Sequence, residues 1–189
     1  KIHLFDPKRA PDLEIEDRKT WQDPERILAV TEIRALFVAA DLGCGTGFFT
    51  IPLSQKVKKV YGIDVQKEML DLLSEKLQKL KIKNVELRLS TGDKIPLEEE
   101  SVDLLLSVNA LHEFADKQRM VREMRRVLKQ VGKAVIVDFR KKNTGFGPPV
   151  SVRLSKKRAI DLFEDAGFAV LKSRELAYHY LLVLFKKNP

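Results

Sequence analysis

The chain has 189 residues, 44% hydrophobic and 33% charged, which is the composition of one soluble globular domain with a sizeable core. No apolar stretch approaches the ~20 residues that cross a bilayer, residues 1–7 lack the long apolar segment of a signal peptide, and a single cysteine, Cys44, excludes an intrachain disulfide. The formal net charge of +8 permits an acidic partner such as RNA, an anionic substrate or a membrane surface; the basic residues are scattered, though, and aromatics make up only 7%, so a well-solvated surface is expected.

Residues 1–20 are polar and proline-bearing and read as an extended N-terminal arm, with residues 21–189 as a single domain. Asp23-Pro24-Glu25 starts a helix, with Asp23 as cap and proline at the first helical position, running through Ile27, Val30 and Ile33. The first strand is residues 36–40. No Gly, Pro, Asn or Asp separates it from the helix, so either the turn is abrupt or a few loop residues are lacking before Asp41. Residues 48–55 are expected to be helical, with Pro52 confined to the first turn or kinking the helix. Residues 57–64 read as the second strand, and Met69, Leu73, Leu77 and Leu80 form a helical stripe. Residues 84–89 alternate like a strand, and residues 102–108 form a continuous apolar run that fits a strand buried on both faces.

Asp116 caps a helix with Met120, Met124, Val127 and Leu128 on one side. Gly132 precedes another buried strand at residues 133–139, and residues 141–150 form a Gly/Pro-rich loop. Ser155 caps a helix that stops at Gly167, and residues 168–174 and 178–185 are expected to close the chain as a hairpin. Strands and helices alternate until that final pair. The pattern implies an α/β fold with a mostly parallel sheet, covered on both faces and joined by right-handed crossovers.

The most informative segment is Asp41-Leu-Gly-Cys-Gly-Thr-Gly47, directly after the first apolar strand. Glycine at every second position lets backbone approach a bound nucleoside closely. A dinucleotide fingerprint, G-x-G-x-x-G, would place its third glycine at position 48. Phe48 and Phe49 stand there instead, which argues for a ligand without a pyrophosphate.

This segment resembles the first motif, D/E-x-G-x-G-x-G, of the class I S-adenosylmethionine-dependent methyltransferases. With the order of elements, the resemblance covers nearly the whole chain after residue 20. It implies a Rossmann-like three-layer sandwich with a seven-stranded sheet in the order 3-2-1-4-5-7-6, the last strand antiparallel. S-adenosylmethionine is the implied cofactor. Gly43, Gly45 and Gly47 would form its loop, and Cys44 would be a small residue packed under it rather than a nucleophile. Asp41 would hold the cofactor's ammonium group or fix the loop; a charged residue ending a buried strand also needs a partner.

Asp64 ends the second strand, where a carboxylate can accept both ribose hydroxyls or cap the helix starting near Gln66. Asp93, in the turn after the third strand, matches the family's adenine-binding aspartate, or is a simple turn residue. Val65 would flank the adenine ring, and Lys94 is counted with the cofactor residues. Beyond the fourth strand, Asn109-Ala-Leu-His112 looks like the small-molecule branch related to ubiquinone and menaquinone biosynthesis methyltransferases. The Asn/Asp-Pro-Pro-Tyr motif of base-methylating relatives is absent. Asn109, also a cofactor residue, and His112 are the candidate catalytic residues. His112 reads either as a general base or as a wall residue bonded to Glu113 or backbone. Phe5, Trp21 and Phe146 are candidate lid residues, or staples of the arm. His3 and His179 are placed on the arm and a terminal strand.

The sequence therefore points to a cytoplasmic enzyme that moves a methyl group to a small molecule by in-line displacement. No Cys/His cluster has metal-ligand spacing, so no metal site is expected. An RNA or protein methyltransferase, and a cofactor-binding module without activity, are the rival readings.

Overall fold

A computed structural model describes residues 5–15 and 17–187; His3 lies outside them. Seven strands form one sheet in the order β3-β2-β1-β4-β5-β7-β6. They are β1 (Val38–Leu42), β2 (Lys59–Asp64), β3 (Val85–Leu89), β4 (Val102–Val108), β5 (Leu128–Phe139), β6 (Phe168–Glu175) and β7 (His179–Lys186). The pairs β1–β2, β2–β3, β1–β4 and β4–β5 are parallel. The last strand, β7, runs antiparallel between β5 and β6. This is the expected order, with the expected parallel and antiparallel pairs.

Alternation along the central strands sends side chains to opposite faces. Leu104, Leu106, Val135, Val137, Leu181 and Val183 meet Ile27 and Leu28 of α2 (Pro24–Ala29) and Leu53 of α3 (Thr50–Ser54). Leu105, Ala134, Ile136, Leu182 and Leu184 pack on the other face, against α5 (Lys117–Val127) and α6 (Lys156–Asp165). The helix α4 (Lys67–Lys79) lays Leu70, Leu73 and Leu77 beside Cys44 and β3. Burying both faces explains why β4 and β5 read as unbroken apolar runs.

Three helix starts form as expected: Asp23 accepts from the Glu25 amide, Asp116 from Arg119 and Ser155 from Arg158. Five details differ from the sequence reading. The arm is not extended; Pro7–Glu14 is a 3₁₀ helix and Arg18–Trp21 (α1) a single α-helical turn. The α2 helix stops at Ala29, and the sequence-silent turn before β1 is made by Glu32 at φ 53°, held by Lys133 and Lys172. Strand β1 begins at Val38, leaving Leu36 exposed in a second turn closed by the Phe37 amide on the Arg34 carbonyl. Leu128 pairs with Val102 and opens β5 rather than closing α5, and Leu80 caps α4 in solvent.

All five parallel strands end at one edge of the sheet, at Leu42, Asp64, Leu89, Val108 and Phe139. Because β7 runs the other way, its first residue, His179, pairs with Phe139 at that same edge. Ligands of such sheets bind beyond these carboxyl ends.

Candidate active site

A cavity of about 790 Å³ opens at this edge, within the ~300–1,000 Å³ usual for small-molecule sites. Its floor is the loop after β1. Gly43 takes φ +78° and passes so close to Ala110 that a Cβ would lie 2.6 Å from that residue's Cβ. Gly45, at φ +51°, would meet only Leu13. Gly47 works one layer back: its Cβ would sit 2.3 Å from Leu73 Cδ1, so its role is to seat α4 against the loop, and it does not line the cavity.

Asp41 is buried, and its Oδ2 accepts the Thr50 hydroxyl at 2.6 Å, which supplies the partner the sequence demanded. Burial raises its carboxyl to about 7; the Thr50 bond and the Arg18 charge oppose that rise, and Asp64 adds to it. Asp64 does two jobs at once. Its Oδ2 accepts the Gly45 amide at 2.8 Å and its Oδ1 the Gln66 amide at 3.0 Å, so it braces the glycine loop and the start of α4. Burial raises its pKa, and those amide bonds pull the other way. The Val65 amide also bonds to it, and with about four acceptor positions the carboxylate keeps capacity for a ligand's hydroxyl.

The thiol of Cys44 is buried, and burial with Asp41 and Asp64 nearby holds its pKa well above the ordinary value. It is therefore a neutral packing group, not a nucleophile. Val65 and Asp93 line the cavity beyond β2 and β3. Asp93 is half exposed, accepting Thr91 Oγ1 at 2.5 Å and paired with Arg119 at 3.1 Å. Lys94 is exposed and does not line the cavity.

On the other side of the cavity, Asn109 takes φ +57° and exchanges two 3.1 Å amide hydrogen bonds with Gln22 at the end of α1. His112 is buried. Its backbone N–H donates to Asp138 Oδ2 at 2.9 Å, and its Nδ1 lies 2.7 Å from Asp138 Oδ1. A carboxylate only accepts, so Nδ1 carries a proton and Asp138 fixes the ring. Burial works against the imidazolium, but the Asp138 hydrogen bond and the charges of Asp138 and Glu113 outweigh it and raise the pKa. Glu113 Oε1 stands 3.8 Å from Nε2, and burial pushes that carboxyl up to about 7. Asp138, on β5, is thus a partner of His112 that the sequence reading did not name, and Glu113, which it did, stands beside the other ring nitrogen.

The arm closes the cavity. Phe5, Trp21 and Phe146 all line it, and the Trp21 ring is 5.0 Å from Phe146 and stacked at 5.6 Å on His179. Gln66 Nε2 donates to the Phe5 carbonyl, and buried Arg18 donates to the Leu13 carbonyl while lying 4.1 Å over the Phe48 ring. Sequence reasoning missed Arg18 and Gln22, whose partners are remote in the chain. Asp138 left a signal: a carboxylate inside the apolar run at residues 133–139.

The residues fit S-adenosylmethionine on grounds internal to the fold. The glycine cradle has no room for side chains at Gly43, a buried carboxylate ends β2, and the buried Thr46 hydroxyl, which also lines the cavity, has no hydrogen-bond partner among the described residues. These features define a Rossmann-like nucleoside-binding enzyme domain. Residues 40–136 match the model of a family described as a methyltransferase domain, and the chain belongs to that family. An S-adenosylmethionine-dependent methyltransferase of Aquifex aeolicus is 33% identical and superposes with a TM-score of 0.91, covering 96% of this chain and 99% of its own. An uncharacterized methyltransferase of Bacillus subtilis is 32% identical over 65% of this chain and 49% of its own length. A demethylmenaquinone methyltransferase of Oceanobacillus iheyensis is 32% identical over 64% of this chain and 51% of its own. The chain thus spans about half the length of these two curated relatives. The family and the Aquifex structure make S-adenosylmethionine the cofactor and place the chain among the class I methyltransferases.

Proposed function

We propose that this chain transfers a methyl group from S-adenosylmethionine to a small-molecule acceptor held in line with the reacting methyl. The observation that carries the reading is one cavity shared by two walls: the glycine loop and Asp64 on one side, and His112, Trp21, Phe139 and Phe146 on the other. The arm over it favours a small acceptor above a polymer. The likeness to demethylmenaquinone methyltransferases supports a planar, partly apolar one. Residues 21–189 are the catalytic domain in this proposal, residues 1–20 its covering arm, and the cytoplasm its location.

When bound, the cofactor supplies an electrophilic methyl on a sulfonium leaving group. The chain's own residues do the rest. Gly43, Cys44 and Gly45 let backbone approach the nucleoside, with Gly47 holding α4 behind them. Asp64 accepts the ribose hydroxyls, Val65 flanks the adenine, and Asp93 borders its edge, with Lys94 outside the cavity. Asp41 faces the ammonium end. Asn109 fixes the arm through Gln22 and closes the wall beside the reacting atoms. Positioning the acceptor within ~3–3.5 Å of the methyl provides much of the acceleration, because it removes the entropy of encounter. His112 accepts the acceptor's proton at Nε2, with Asp138 holding the ring and stabilising the imidazolium that forms. Aromatic walls exclude water, which strengthens these contacts.

The test is transfer of labelled methyl from S-adenosylmethionine to three panels: small phenols and quinols, total RNA, and protein. Label on the small-molecule panel is expected, rising with pH as the His112 imidazolium loses its proton. The variant His112→Ala should lower turnover about 100-fold, typical of a lost general base. Label confined to RNA or protein would overturn the small-molecule reading, and unaltered turnover in the variant would remove the base.

A further inference from the structure

A second concavity, of about 900 Å³, adjoins the first and shares His112, Glu113, Phe114 and Ala115 with it. It lies between the start of α5, the end of β5 and the start of α6. Four cationic side chains line it, Lys117, Lys141, Arg153 and Arg158, against two carboxylates, Glu113 and Asp116. Burial holds the Glu113 carboxyl up to about 7, which weakens that opposing charge near neutrality.

The cations differ in how they are used. Arg153 is buried and spends its donors on the carbonyls of Arg140, Lys142, Phe146 and Pro148 and on the Thr144 hydroxyl, thereby shaping the loop at residues 141–150. Among the described residues Lys117 donates once, to the Phe114 carbonyl, leaving two ammonium N–H groups. Lys141 and Arg158 have no carboxylate within ion-pair distance among the described residues. Their chain neighbours do: Arg140 and Lys156 pair with Glu175, and Lys157 with Asp161. The surface therefore neutralises its cations on either side of the groove and leaves them unneutralised within it. Unpaired cations lining a groove that adjoins a cavity are what recognition of an anion requires.

We infer that the acceptor is an amphipathic anion: its aromatic or apolar body occupies the Trp21–Phe139–Phe146 side of the cavity, and its carboxylate or phosphate occupies the groove of Lys117, Lys141 and Arg158. The inference rests on the small-molecule reading above and narrows its substrate class. Lys141 and Arg158 are specificity determinants that touch the anionic group; neither touches the reacting atoms. The two anion types are separated by the probes.

The experiment is calorimetric titration of the whole chain, with and without S-adenosylhomocysteine, using benzoate, phenyl phosphate, inorganic phosphate and the neutral benzamide. Benzoate or phenyl phosphate is expected to bind and benzamide to bind at least about tenfold more weakly. The double variant Lys141→Gln/Arg158→Gln should weaken the anionic probe about tenfold or more. The control Lys83→Gln, an exposed cation just before β3 at the opposite edge of the sheet, should leave binding unchanged. The preferred anion, carboxylate or phosphate, names the acceptor's group. Equal binding of benzamide, undiminished binding by a folded double variant, or no binding of either aromatic anion at about 10 mM would overturn the inference. Failure of S-adenosylhomocysteine to bind while the anions still do would instead sink the methyltransferase reading and leave the anion groove standing.

Discussion

Three titratable groups around the cavity shift in the same direction, two carboxyls through burial and His112 through its bond to Asp138 in spite of it. Asp41 and Glu113 titrate near 7 in the folded chain, above their ordinary 3.8 and 4.5, and His112 is held above 6.5. Between the ordinary and raised values the folded state keeps protons that the unfolded chain has released. Stability therefore falls as pH rises through that window. His112 follows the same sign: its contribution is complete below 6.5 and lost as pH passes its raised value. The melting temperature of the cofactor-free chain should drop between about pH 5 and about pH 8, the two carboxyls and His112 outweighing His179, which burial lowers to about 4 and which works the other way below 6.5. The variant Asp41→Asn keeps an acceptor for the Thr50 hydroxyl but does not titrate, so its drop should be shallower by several degrees, roughly. Parallel curves for the two proteins would show that Asp41 is ionised throughout. Asp41, Asp64, Asn109 and His112 were all legible as residues at strand ends. Their partners were less so: Thr50 is nine positions from Asp41, Gln22 is 87 from Asn109, and Asp138 is 26 from His112.

At the scale of elements, local signals were read best. Asp23, Asp116 and Ser155 each cap the helix they precede, because a cap depends on three or four adjacent residues. The arm was misread because its shape is set from outside: Gln66 holds Phe5, and Asn109 holds Gln22. Leu128 was placed on α5 by its helical spacing, whereas pairing with Val102 draws it into β5. The loop after β1 offers a quantitative check on the close packing behind the cavity. Gly43 and Gly145 have similar φ, +78° and +77°, but a Cβ at Gly43 strikes Ala110 while one at Gly145 meets nothing within 4 Å. Backbone strain alone predicts a loss of about 1–2 kcal/mol for Gly145→Ala. Strain plus overpacking predicts about 2–5 kcal/mol for Gly43→Ala. Denaturant unfolding measures both; equal losses would mean that Ala110 moves aside and the cradle is looser than its contacts indicate.

For the whole molecule, the periodicity of residues 102–108 and 133–139 and the closing pair of strands specified an α/β sheet, and the order 3-2-1-4-5-7-6 came with the family resemblance. The second concavity was not legible, because Lys117, Lys141 and Arg158 come from three elements that meet only in the fold. Among the described residues no helix is long and apolar enough to cross a membrane. The account's central claim is that the glycine loop and Asp64 together hold a nucleoside cofactor. Titration calorimetry with S-adenosylmethionine and S-adenosylhomocysteine, on the wild-type chain and on Asp64→Ala checked for folding by its melting curve, tests it most directly. Both ligands should bind the wild type, and the variant should lose about tenfold or more in affinity, as for a hydrogen bond to a charged group. Binding of NADH without S-adenosylmethionine, or equal affinity in wild type and variant, would contradict it.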